Sequence, residues 1–535
     1  MGPSGSAGSA GAGGDDDSGG PDGDPQPQCM PPLTRVWKLT PRQYDASLEQ
    51  VLPGAASAEL DDLDEAERSF TNEADHNDLP LGMVRSMFHH AERQAQRVTD
   101  DPGMLDACLA SFDLSDDACL RGALDRLLQR AHRRPADAAE VDELVDFVHE
   151  QATAHGPAAA LGQAVHAVLT SPSFLFRTEL GPVDAPADAD TLVLDDHEIA
   201  SALSYLLLDG PPDAALLAAA KTGGLADPDV RAEHARRLLE ATGGSQGLRE
   251  FFTDYTQTRQ VAGITRNPSE YADFNEQALA EQMGEELRAF VTHVITEDDA
   301  RLHTLLTASY SVVSPALAQL YGVEPAGEGW ARVELPADQR AGLLTNPAML
   351  LMGSKYDHGD PVSRGLYIRN RLLCQELPPP PPDIPPLPSS EGHTQRELLA
   401  QHAEDQYCRS CHQLMDPLGL PLEHYDAIGR FRETDHGHEI DASGAIYDLG
   451  EDGEEVVHVD DALELAEQLA VRPEVRSCFV QSMFHYAYGR LPAATDDCEL
   501  QRLEASFSDS DGDIVELVVA LVSSDHFITR RRTTP

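Results

Sequence analysis

The sequence predicts a mainly α protein. Three observations carry that prediction. Apolar residues recur at helical spacing along most of the chain, these runs open on Ser, Thr or Asp with Glu or Gln three positions later, and strand-like alternation is scarce and short. In KLTPRQYDASLEQVL, Thr40 caps a helix, Pro41 suits its first position and Gln43 completes a capping box. Leu39 and Tyr44 are spaced as a hydrophobic staple, and Leu48 and Leu52 continue the same face. Leu120, Leu124, Leu127 and Leu128 form the next stripe, which Pro135 stops. Asp137 with Glu140 opens a helix through Val141, Leu144, Val145 and Val148, and Asp195 with Glu198 opens another over IASALSYLLL. Leu279, Met283, Leu287, Phe290 and Val294 line a longer helix, and SPALAQLYG runs from a Ser314 cap to a Gly322 stop. The best strand candidates are GWARVEL (329–335) and GAIYDLG (444–450).

Composition bounds the organisation. Residues 1–32 read as a flexible tether rich in Gly, Ser and Asp, followed by an N-terminal helical domain over 33–155 and a central one over 156–377. The proline-rich stretch 378–392 reads as a stiff spacer, because its run of prolines excludes helix and favours an extended conformation. A smaller α-rich unit of cytochrome-c-like character is expected over 393–535. The formal net charge is −53, which repels nucleic acid and anionic lipid and excludes both as partners. No run of apolar residues is long enough for a membrane span. A tether of this composition is expected to follow the anchored end of a secreted or surface protein, with the leader outside this sequence.

The chemistry concentrates in EDQYCRSCHQLMDPLGLPLEHYDAIGRFRETD, where Cys408 and Cys411 are followed at once by His412. Two thiols about one helical turn apart suit double thioether attachment to haem c, and the adjacent imidazole then serves as the proximal iron ligand. This residue content produces such a triplet by chance only roughly 0.005 times in a chain of this length. The rivals are a zinc site, a redox dithiol, and a plain disulfide or pair of free thiols. Zinc needs a fourth ligand, with His402, His424, His436 and His438 as recruits, and a redox dithiol would sit beside a βαβ pattern that is missing.

From about Leu33 onward the chain resembles multidomain secreted proteins of planctomycetes and myxobacteria. These combine several domains of unknown function with a planctomycete-type cytochrome c domain. The resemblance rests on KLTPRQYDASLEQVL, HAVLTSPSFLFRTELG, EIASALSYLLLDGPPDAALL, RAGLLTNPAMLLMGSKYDHGDPVSRGLYIRNRLLCQELPPPPPDIP, CRSCHQLMDPLGLPLEHYDAIGRFR and CFVQSMFHYAYGRL, in that order. It implies haem attachment at Cys408 and Cys411 with His412 on the iron, and leaves the activity of the helical body unassigned. The sixth iron position has no obvious ligand. Met415 lies on the proximal side, and Met349, Met352, Met483 and His485 are the remaining candidates. Arg430 and Arg432 are of the type that pairs with haem propionates.

SDSDGDIVEL has the wrong glycine and glutamate positions for a calcium loop, and Asp513 with Glu516 reads as a helix cap. Six further cysteines, Cys29, Cys108, Cys119, Cys374, Cys478 and Cys498, fit an oxidising compartment, though sequence leaves their pairing open. The expectation is an exported monohaem c-type protein of the periplasm or cell surface. It would exchange electrons with a partner protein or small molecule, or serve as the redox module of an oxidoreductase. The alternative is a cell-surface protein that binds polysaccharide or protein, with an accessory or zinc-bearing C-terminal unit.

Overall fold

Short side chains that can accept from a free backbone N–H start the helices where the sequence places them. The computed structural model describes residues 29–55, 60, 69–74, 79–110, 116–186, 188–241, 243–377, 393–404, 406–447 and 456–532. The first 28 residues of the tether expected over 1–32, and the proline-rich spacer over 378–392, therefore lie outside the described residues. Thr40 and Gln43 form their reciprocal box at the head of Pro41–Val51, Asp195–Glu198 does the same for Asp196–Leu207, and at Ala138–His155 the Glu140 carboxylate accepts from the Asp137 N–H at 2.9 Å. Gly322 takes φ +71° and ends Pro315–Tyr321, as a left-handed C-terminal residue should. Asp513 accepts from the Glu516 N–H and so acts as a cap, as expected for that acidic stretch.

The protein is mainly α, and its strands are only small pairs. Among the described residues the sheets are five two-stranded antiparallel ladders. The two strand candidates are among them: Ala331–Glu334 pairs with Tyr310–Val313, and Gly444–Tyr447 with Val456–Val459. No helix among the described residues is long and apolar enough to cross a membrane.

Two hydrophobic cores organise the helices. The smaller runs from Leu39 to Leu175 and takes in Tyr205. The larger begins with Phe70 and then draws on residues from Leu194 to Ile528. Helices from both sides of the proline-rich stretch meet in this larger core, so residues after 393 pack directly on the central helices. The two ends of the described residues are also joined: Leu33 bridges Arg531 and Cys29 is bonded to Cys498, while Thr191–Val193 pairs with Thr529–Arg531. Beside them Trp37 lies between the guanidinium groups of Arg35 and Arg177, at 4.1 and 4.0 Å from its ring centre. Glu179 accepts from Arg35 Nε and Arg530 Nε, each at 2.7 Å. Burial alone would raise the Glu179 carboxyl, but these two arginines hold it well below the usual range.

Candidate functional site

The CxxCH triplet lies on the helix Gln406–Gly419, called here the motif helix. The helix before it, Gln395–His402, opens on a Thr394–Glu397 capping box, and Arg409 Nε reaches back to the Ala403 carbonyl at 2.9 Å. Three residues of helix advance about 4.5 Å and turn about 300°, so Cys408 and Cys411 share one side of the motif helix. Both thiols are half-buried and free. All six other cysteines are in disulfides: Cys29–Cys498, Cys108–Cys119 and Cys374–Cys478.

His412 follows, one helical turn before Asp416. Its Nδ1 lies 3.0 and 3.1 Å from the two Asp416 carboxylate oxygens. The pair is largely shielded from water, with side chains 14% and 10% exposed. The Asp416 hydrogen bond raises the imidazole above its ordinary value, against the opposing effect of burial. Nε2 makes no hydrogen bond among the described residues, and the ring packs edge-on against His402 with centroids 4.9 Å apart.

The motif helix is held by an unusually close crossing. Pro361–Tyr367, the crossing helix, presents Gly365 to the Met415 carbonyl, where an added Cβ would stand 2.0 Å from that oxygen. On the motif helix, a Cβ at Gly419 would meet the Pro361 carbonyl oxygen at 1.8 Å. Only glycine permits backbones this near each other. A π-turn over Ile368–Leu372 follows, from which Arg369 Nε donates to the Leu414 carbonyl at 2.9 Å. These contacts fix where the far half of the motif helix sits.

The loop after the motif helix is organised by buried arginines that sequence reading did not single out. Arg364 donates to the carbonyls of Leu422 (2.7 Å), Tyr425 (3.0 Å) and Asp426 (3.1 Å), and also to Gly353 O and Ser354 Oγ. Arg266 Nε reaches the Ala427 carbonyl at 3.2 Å, and Arg340 Nη2 reaches that of Gly429 at 2.9 Å. A guanidinium presents several donors in a fixed plane, which suits a tight loop with many inward carbonyls. The only signal in the sequence was the scarcity of lysine beside many arginines.

The other expected residues are placed as follows. Arg432 is held at 2.6 Å by Asp435 and lies 3.5 Å from Glu423, whereas Arg430 is exposed. Met415 and Met483 are buried. His485 Nε2 is 3.2 Å from Glu73, and its ring packs edge-on against Phe70. Met349 and Met352 line a cavity of about 460 Å³ with Arg364, Tyr367 and Leu422, and none of the three motif residues lines it. Of the histidines named for zinc, only His402 packs on His412. His424 Nδ1–H donates to the Arg432 carbonyl at 2.8 Å, and its ring stacks on Phe431. His436 and His438 are exposed. Among the described residues no group of three or more His, Cys, Asp or Glu side chains is placed to hold a metal ion.

The donor set fits covalent haem. It offers two uncommitted thiols one turn apart and a neighbouring imidazole whose far nitrogen is unengaged.

Four family models match this chain in series. Each is described as a protein of unknown function: DUF1595 over residues 119–179, DUF1592 over 194–323, DUF1588 over 340–435 and DUF1585 over 455–527. They are planctomycete-type families, and they supply the domains of unknown function that the resemblance implied. No cytochrome domain is shown directly, although the DUF1588 model carries the label PSCyt3, whose wording hints at a cytochrome-like module. That model spans the crossing helix, the motif helix and the arginine-held loop as one unit. Comparison with curated proteins and with solved structures found no match.

Proposed function

We propose that this chain is an exported monohaem c-type protein that passes single electrons, on its own or as the redox module of an oxidoreductase. One observation carries the reading: Cys408 and Cys411 are the two free thiols in a chain whose six other cysteines are all in disulfides. The pair sits one helical turn apart, beside an imidazole with an unengaged Nε2. Cys408 and Cys411 would hold the haem through thioethers, each by addition of S–H across a vinyl group, so that nothing leaves and no oxidant is needed. The haem supplies a one-electron couple between ferric and ferrous iron. His412 would hold the iron through Nε2, with Asp416 holding the ring through Nδ1. The disulfides support an oxidising compartment, which is also where thioether attachment takes place.

The test is expression with a c-type maturation system. The protein should be red, hold one haem per chain and keep it through denaturation, because thioethers survive unfolding. Replacing both Cys408 and Cys411 by Ala should abolish the retained colour. Colourless protein from a strain shown to mature another c-type cytochrome would overturn the reading and favour a surface-binding role.

A further inference from the structure

We infer that Asp416 is a positioning residue for the proximal imidazole, which it keeps rich in electron density and so lowers the reduction potential of the iron. The inference rests on the haem reading above and extends it from the motif itself to a residue outside CxxCH.

Asp416 is a buried carboxylate on the motif helix, 7% exposed overall. A carboxylate taken out of water needs a strong partner. At three other buried carboxylates in this chain that partner is arginine: Arg35 and Arg530 for Glu179, Arg490 for Asp496, Arg42 for Asp209. Asp416 has no arginine or lysine partner among the described residues, and its ion pair is with His412 alone. Both of its oxygens lie within 3.1 Å of Nδ1. The i to i+4 spacing lets the helix backbone aim one side chain at the other.

The consequence follows from valence. An imidazole bound to iron through Nε2 carries its one proton on Nδ1, so Nδ1–H must donate, and here it donates to a carboxylate. A negatively charged acceptor draws that proton outward and raises the basicity of Nε2. A more basic axial nitrogen favours ferric over ferrous iron, so the couple moves to lower potential. The same bond fixes the ring about its long axis, and His402 packed edge-on limits the remaining rotation.

The experiment uses the full chain matured with haem, as wild type, Asp416→Asn and Asp416→Glu. Haem per chain is counted after denaturation, and the potential is read by spectroelectrochemical titration. D416N should keep one covalent haem per chain while its potential rises above wild type, and D416E should restore much of the difference. An unchanged potential in a folded, haem-loaded D416N would overturn the inference and leave the haem reading standing. Wild-type protein without covalent haem would overturn the haem reading and this inference with it. Should D416N fail to fold, the neutral His412 ring of haem-free wild-type protein decides by its nitrogen chemical shifts. A proton on Nδ1 supports the inference, and a proton on Nε2 overturns it.

Discussion

Glu286 is a carboxylate inside the larger core, and its replacement by glutamine has a calculable pH signature. It projects from Leu279–Glu297, where Oε1 accepts from Ser311 Oγ at 2.7 Å and from the Tyr321 hydroxyl, while Oε2 is buried without a partner. Burial pushes the carboxyl up to about 7, and the hydrogen bonds from Tyr321 and Ser311 and the charge of Arg340 only partly oppose it. Below the ordinary glutamate range the group is protonated in both folded and unfolded chains and contributes no pH dependence. As pH rises toward 7 the unfolded chain ionises first, so folding stability falls, and above 7 the loss levels off. The gap between an ordinary glutamate at 4.5 and about 7 is worth about 3 kcal/mol. Glutamine keeps the shape and the acceptor oxygen but never ionises. Urea denaturation of wild type and Glu286→Gln should therefore differ by about 1 kcal/mol at pH 5 and by about 3 kcal/mol at pH 8, with the variant more stable. Comparing the two proteins at each pH cancels the other titrating groups. A gap independent of pH, or a variant less stable at pH 8, would show that the carboxylate is ionised in the fold and refute the argument.

Three further outcomes are expected. Gly365→Ala would bring a Cβ to 2.0 Å from the Met415 carbonyl oxygen, a backbone atom that cannot swing aside, so the crossing helix and motif helix must separate. The loss should be about 3 kcal/mol or more, seen as a lower thermal midpoint, and an unchanged midpoint would mean the crossing is looser than described. Denatured but unreduced haem-free protein should label two thiols, Cys408 and Cys411, while haem-loaded protein should label none. More than two labelled thiols in the haem-free sample would contradict the disulfide set. Arg364→Met strands the carbonyls of Leu422, Tyr425 and Asp426 and should cost about 3–5 kcal/mol in urea denaturation. Arg364→Lys should fare little better, because a single ammonium cannot span them, and full recovery with lysine would refute the planar-donor explanation.

Much of this protein was legible from local pattern. Thr40, Asp195 and Ser314 begin helices because a short polar side chain satisfies a backbone N–H within three residues of itself, which needs no knowledge of the fold. The CxxCH triplet was equally plain, since its geometry is that of a single helical turn. The His412–Asp416 bond is local too, but an Asp four residues along a helix is common and announces nothing until both side chains are seen to be buried. Other features depend on residues far apart in the chain. The disulfide partners Cys29 and Cys498 are separated by 469 positions, and they meet where Leu33 bridges Arg531 at the ends of the described residues. The sharing of one core across the proline-rich stretch likewise depends on which apolar faces meet, as does Arg364 gathering the carbonyls beyond the motif helix. Helical periodicity says that a face will be buried. It does not say against what, because apolar contact is non-directional, and the choice among partners falls to close packing: the Gly365–Gly419 crossing, where only backbone fits, decides where the motif helix lies.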